Sequence, residues 1–375
     1  MTGYTIGFVC PSTSWGGLEM NVHRLAVRLK RRGYRVVLYG NPLSILYQKL
    51  QSENIRVRSV ISRSKFRDIF LAFVLARMVR QDEVDIVVLH LNRNFLLTTL
   101  AKIIARRPFK FVYMQHMHVG GTKKDWFHNW EYGKLDCWIA PLPGFKTILG
   151  QKIKLPPHKI EVIPLGIEVE CFTDSKPDRA EARLRLNLPA DVPVAGVVGR
   201  LDPKKGQHIL IEACHQVRQE GHDLHVLLVG DKTASEETGY AEQLQQLTRD
   251  HELQDFVHFR PHMDDIEYAY AAMDIFTLTS KSETYGMVTL EAMASTLPVI
   301  GTAAGGTRDI IDDAHNGLLV RPYDAGHLAG AITRILTEGE FARGLARQAR
   351  RDVIAKYSSH RQCDMLEGLF VRLMN

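Results

Sequence analysis

Cysteine is scarce in this chain. There are five in 375 residues (Cys10, Cys137, Cys171, Cys214 and Cys363), with no Cys-x-x-Cys spacing. An odd, scattered set argues against a disulfide framework and against structural zinc, and fits a reducing compartment. Long apolar runs are missing too, since none approaches the ~20 residues a membrane span needs. The first apolar segment, Thr5 to Cys10, reads as a strand and not as a secretory leader. No repeat of fixed period and no low-complexity tract occurs. These absences predict a cytoplasmic protein. A length of 375 residues is too great for one core and fits two domains of ordinary size. The balance of 45% hydrophobic and 24% charged residues is that of a globular chain.

Acidic residues are sparse in the first part of the chain. Residues 1–150 hold 23 Lys+Arg against 9 Asp+Glu, a balance of +14; the remainder holds 25 against 33, or −8, which together give the net +6. Such asymmetry points to an anionic partner for the first half: a membrane surface, an acidic or phosphorylated glycan, or nucleic acid. Solvated helix faces are the plainer reading. The basic half has no recognition helix or aromatic RNA-binding motif, so no nucleic-acid partner is expected.

Strand-like apolar runs fall near 5–10, 35–39, 56–60, 85–91, 110–115 and 136–140, with helical patterns between them, as at Met20 to Arg32 and Asp68 to Arg80. The pattern restarts near 194–198, 225–229, 256–260, 274–279 and 298–301 and ends in three helical segments from Ala325 onward. Alternation of this kind predicts stacked βαβ units and parallel sheets. A polar, proline-containing stretch around 165–190 reads as the linker.

The most informative stretch is Glu283-Thr-Tyr-Gly-Met-Val-Thr-Leu-Glu291. A strand-like run precedes it, and a helix is predicted to begin near Gly286. That is the phosphate-site layout of open α/β sheets, with ligands beyond the carboxyl ends of strands and anions at helix N-termini. Glu283 stands at the mouth of the turn and Glu291 about 7 to 8 Å along the helix. Two carboxylates so spaced suit a ligand with hydroxyls at both ends and a diphosphate between, a nucleotide sugar. A solvated turn acid and a paired helix acid would give the same spacing. Upstream, Val197-Val-Gly-Arg-Leu-Asp-Pro-Lys-Lys-Gly206 is a strand ending in a basic loop; downstream lie Leu297-Pro-Val-Ile-Gly301, Gly305-Gly306-Thr-Arg-Asp309 and Asn316-Gly-Leu-Leu-Val320.

In this order, and over nearly its full length, the chain resembles a retaining glycosyltransferase of the GT-B fold, family 4. The resemblance implies an α/β architecture of two Rossmann-like parallel-sheet domains facing across a cleft. Residues 1–170 would bind the acceptor, 185–355 the nucleotide sugar, and a final helix, 356–375, would pack back on the first domain. Arg200 and Lys205 match the paired basic residues that hold the diphosphate, a task cations can perform without a metal. No Asp-x-Asp motif is present, so no metal and no cofactor is expected beyond the nucleotide sugar itself, a UDP-sugar being favoured. Gly286, Met287 and Val288 would offer backbone N–H groups to the phosphates or the sugar. Glu283 would hold hydroxyls of the transferred sugar and Glu291 the ribose. Arg260 and Pro261 would border the base. Gly16 and Gly17 would close over the phosphates, and His116, at a strand end, would face the reacting sugar. Glu19, His90, Asn92 and His118 would contact the acceptor. Two positions depart from the family pattern: Tyr285 stands where Phe is frequent, and Thr296 replaces the glycine usual before Leu-Pro-Val.

These residues imply a metal-independent hexosyltransferase acting on a glycan or lipid-linked acceptor in cell-envelope polysaccharide or lipopolysaccharide synthesis. The chain would sit peripherally on the inner face of the membrane, with Arg63, Lys65 and Arg67 on anionic lipid beside a helix, Ile69 to Leu75, that covers the sheet. A small soluble acceptor is the alternative. A hydrolase using Glu283 and Glu291 as an acid–base pair, or a basic nucleic-acid-binding protein, are rivals from other classes.

Overall fold

The structure, a computed structural model, describes residues 3–62, 68–173, 177–232 and 239–375. Arg63, Lys65 and Arg67 lie outside the described residues. The chain divides into two compact units, 1–165 with 359–375, and 166–358.

The first unit is a seven-stranded parallel sheet: β1 (Thr5–Cys10), β2 (Arg35–Gly40), β3 (Arg56–Ser59), β4 (Ile86–Leu89), β5 (Lys110–Met114), β6 (Cys137–Ala140) and β7 (Ile160–Val162), in the order β3-β2-β1-β4-β5-β6-β7. Register is fixed where Ile6 pairs with both Val36 and Ile86. β1, β4 and β6 are buried along their whole length, as expected of strands covered on both faces. The helix Gly17–Arg31 buries Val22, Leu25, Ala26 and Leu29, an i, i+3, i+4, i+7 stripe. The C-terminal helix Ser359–Met374 lies against it: Arg32 pairs with Asp364 at 2.6 Å and Glu367 at 3.1 Å, and Phe370 meets Tyr34 edge-on. Right-handed crossovers put the helices following β1 and β2 on one face and Ile69–Gln81 with Phe95–Ile104 on the other.

The second unit is a six-stranded parallel sheet: β8 (Val194–Val198), β9 (His225–Val229), β10 (Val257–Arg260), β11 (Ile275–Leu278), β12 (Val299–Thr302) and β13 (Leu318–Val320), in the order β10-β9-β8-β11-β12-β13. Its core gathers Val197, Leu210, Val226, Leu228, Ile300 and Ile332. β7 and β13, three residues each at sheet edges, escape a pattern search that needs longer runs. The stretch read as a linker is partly built into this unit. Helix Arg179–Arg185 buries Arg183, which bonds Asp274 Oδ2 at 2.6 Å and the carbonyl of Ala272. A buried, paired arginine is indistinguishable in sequence from a solvated one.

Both sheets reverse their strand order once, between β1 and β4 and between β8 and β11. In doubly wound sheets the ligand crevice opens at that point, beyond the carboxyl ends of the strands.

Candidate active site

In the second unit the loops after β8, β11 and β12 are tied together at the switch point. The Thr279 hydroxyl donates to the carbonyl of Lys205 at 2.8 Å, Lys281 N–H to that of Lys204 at 2.8 Å, and the Thr302 hydroxyl to that of Ser280 at 2.6 Å. Glycine is required twice. Gly206 has φ +68, and a Cβ there would stand 2.3 Å from the carbonyl oxygen of Thr279; at Gly305, φ +56, it would stand 2.3 Å from that of Glu283. Gly306 N–H donates to the same Glu283 carbonyl at 2.9 Å. The glycine pair therefore serves loop-to-loop approach.

This lacing brings the predicted donor residues together. Lys205 Nζ lies 2.5 Å from Glu283 Oε1, which also accepts from the Ser280 hydroxyl at 2.7 Å. Arg200 is exposed on the same loop as Lys205, and its guanidinium has no protein partner among the described residues. Gly286, φ +89, caps the helix Met287–Ala294, and no side chain caps that end, where helix amides lack intrahelical partners. Glu291, one turn on, accepts from the Tyr270 hydroxyl at 2.8 Å. Burial and the Glu291 charge push the Tyr270 hydroxyl pKa well up, so it stays a donor. Sequence reasoning missed Tyr270 and Ser280. Ser280, three residues before Glu283, was findable; Tyr270 was not, because only the tertiary fold brings it to Glu291.

Arg260 is tied to backbone carbonyls of its own unit. Its guanidinium donates to the carbonyls of Leu186 (2.8 Å), Asn187 (3.2 Å) and Phe259 (2.7 Å), which closes the C-terminus of helix Arg179–Arg185. That use makes it a structural clamp. Pro261 beside it is exposed.

In the first unit the same edge of the sheet carries Gly16, Gly17 and Glu19 after β1, His90 and Asn92 after β4, and His116 after β5. Glu19 is buried, and its carboxylate accepts the Gly16 N–H at 3.1 Å. It thus staples the glycine loop to the helix it opens. His90 is 1% exposed, its ring edge-on to Phe8, and its Nδ1 lies 3.0 Å from His116 Nε2. Burial pushes the His116 pKa down to about 4 and that of His90 well below its ordinary value, so the pair is neutral at pH 7. His90 is a support behind His116, too deep to meet an acceptor. Asn92 and His118 are exposed, with the His118 ring stacked on Phe145 at 4.7 Å.

Two doubly wound parallel sheets with such crevices define the GT-B class. Residues 15–171 match Glycosyltransferase Family 4 and residues 178–352 match Glycosyl transferases group 1; the chain belongs to this glycosyltransferase family. It is similar to the D-inositol 3-phosphate glycosyltransferase of Acidothermus cellulolyticus, with 35% identity over 204 residues, 52% of this chain and 45% of the relative. The counterpart from Stackebrandtia nassauensis is 31% identical over 241 residues, 63% of this chain and 54% of that one. The chain spans about half the length of the curated relatives it matches. Its fold is that of a glycosyltransferase from Rickettsia africae (TM-score 0.90, 22% identity, 100% of both chains) and of Anabaena HepE in complex with UDP (TM-score 0.84, 23% identity, 97% and 99%).

Proposed function

We propose that this chain transfers a hexose-type sugar from a nucleotide diphosphate sugar, a UDP-sugar being favoured, to a glycan or lipid-linked acceptor of cell-envelope polysaccharide or lipopolysaccharide synthesis. The observation that carries the reading is the convergence of Arg200, Lys205, Glu283 and the amides of Gly286, Met287 and Val288 at one switch point, with Glu291 farther along the helix. The fold relatives crystallised with UDP and UDP-glucose support the donor, and the fold relative named as a lipopolysaccharide outer core galactosyltransferase supports the acceptor class.

In the proposed reaction the bond from the anomeric carbon to the diphosphate oxygen breaks as the bond to the acceptor oxygen forms on the same face. The acceptor proton passes to a leaving phosphate oxygen. Arg200 grips phosphate oxygens with its fork, Lys205 adds a point charge, and the helix amides complete the cradle, so no divalent cation is needed. Glu283 Oε2, which has no protein partner among the described residues, holds sugar hydroxyls. Glu291, aimed by Tyr270, takes the ribose. His116 faces the reacting sugar, Pro261 borders the base, and Asn92 and His118 meet the acceptor.

A second reading keeps the donor and changes the acceptor to a small soluble phosphorylated polyol. The printed name of the relatives favours it, as does the +14 balance of residues 1–150. A thermal-shift screen of UDP-, GDP- and ADP-sugars, followed by NMR of early product, tests the proposal. Stabilisation by one nucleotide sugar with retained anomeric configuration supports it; an inverted product or no nucleotide response sinks it.

A further inference from the structure

We propose that the outer face of the helix Ile69–Gln81 docks on an anionic lipid bilayer, with Trp126 on the same side of the sheet. A helix that covers a sheet buries one stripe, here Ala72, Leu75, Ala76 and Val79. Its other side is ordinarily polar. Here that side carries Phe70, 84% exposed, Phe73, 55% exposed, and the exposed Ile69 and Val74. Positions 69, 70, 73 and 74 share one face of the first two turns. Large apolar side chains grouped on a surface mark a contact with a partner or a membrane.

The charge around the face selects the membrane. Arg77 and Arg80 are exposed farther along the helix, and no acidic residue occurs between 69 and 81. Residues 1–150 carry a balance of +14. Aromatic side chains that enter the headgroup region beside cations that meet lipid phosphates form the chemistry of an interfacial anchor. Trp126, 80% exposed, opens the helix Trp126–Gly133 two residues after the pair Lys123 and Lys124, and the intervening Asp125 is the helix cap, accepting the amides of Phe127 and His128. That helix lies on the same flank of the sheet as Ile69–Gln81, by the handedness of the crossovers. Each helix begins at the carboxyl edge of the sheet, so Phe70 and Trp126 stand at the edge that carries His90, Asn92 and His116. Docking there holds the candidate acceptor residues at the bilayer surface, a purpose that rests on the lipid-linked reading above, whereas docking itself is measured without turnover.

The test is flotation of the full chain with vesicles of phosphatidylcholine alone and of phosphatidylcholine mixed with phosphatidylglycerol. The chain is expected to float with the anionic vesicles only, and less as salt rises. The exposed double substitution Phe70→Ser/Phe73→Ser should lower partition at least about tenfold with an unchanged melting temperature. Arg77→Glu/Arg80→Glu, which leaves the apolar face intact, should lower it as well and serves if the first variant is unstable. Failure of the full chain to float overturns the proposal, as does flotation unaltered in both variants. Conversion of a dimer to a monomer by Phe70→Ser/Phe73→Ser, with vesicle binding unaltered, would assign the face to a second copy instead. If no nucleotide sugar is turned over yet flotation holds, the transferase reading falls and the docking surface stands.

Discussion

Lys205 Nζ and Glu283 Oε1 stand 2.5 Å apart, joining the loop after β8 to the loop after β11. The pair couples the residue proposed for the diphosphate to the one proposed for the sugar. A bound diphosphate competes with Glu283 for the same ammonium. Glu283→Gln is therefore expected to keep or raise affinity for UDP in calorimetry, while transfer falls by on the order of a hundredfold. Loss of UDP affinity in that variant would contradict the assignment.

Tyr270→Phe removes one buried hydroxyl and the 2.8 Å hydrogen bond that it donates to Glu291. The variant should lose about 0.5–1.5 kcal/mol of stability in denaturant unfolding. If Glu291 grips the ribose, the KM for the donor should rise more than kcat falls. An unchanged KM would detach Tyr270 from the donor site.

Thr296 adopts φ +63, a left-handed conformation that disfavours a β-branched residue. It holds the place where the family pattern has glycine. Thr296→Gly should raise stability by about 1 kcal/mol, read as a higher melting temperature. A lower melting temperature would mean that the threonine side chain makes contacts outweighing the strain.

The depressed His116 pKa, about 4 against an ordinary 6.5, has a definite sign. The unfolded chain binds the proton more readily, so the stabilising contribution is complete above about pH 6.5 and is lost as pH falls toward 4. His258, also pushed down to about 4 by burial and by His225 and Arg260, acts in the same sense. Melting temperature should therefore fall across that window. His116→Asn should flatten part of the slope; an unchanged slope would remove His116 from the account.

The layers and most strands were legible because parallel strands buried on both faces make unbroken apolar runs. The positions of Glu283, Lys205 and Arg200 in the loops after strands were legible because local spacing fixes them there. Four features were not. Glu19 and Arg260 carry the residue types of ligand contacts but serve the loop and helix beside them, which only tertiary hydrogen bonds reveal. His90 sits at the right strand end yet is buried behind His116. The helix Ile69–Gln81 has apolar residues on both sides, and its sequence cannot say which side the sheet covers.

Turnover of the preferred nucleotide sugar by the full chain and by Arg200→Ala/Lys205→Ala, each with and without a divalent-cation chelator, tests the central claim most directly. The account predicts that the full chain keeps its rate in chelator and that the double variant loses at least about a hundredfold. A double variant as fast as the full chain, or a full chain silenced by the chelator, would contradict it.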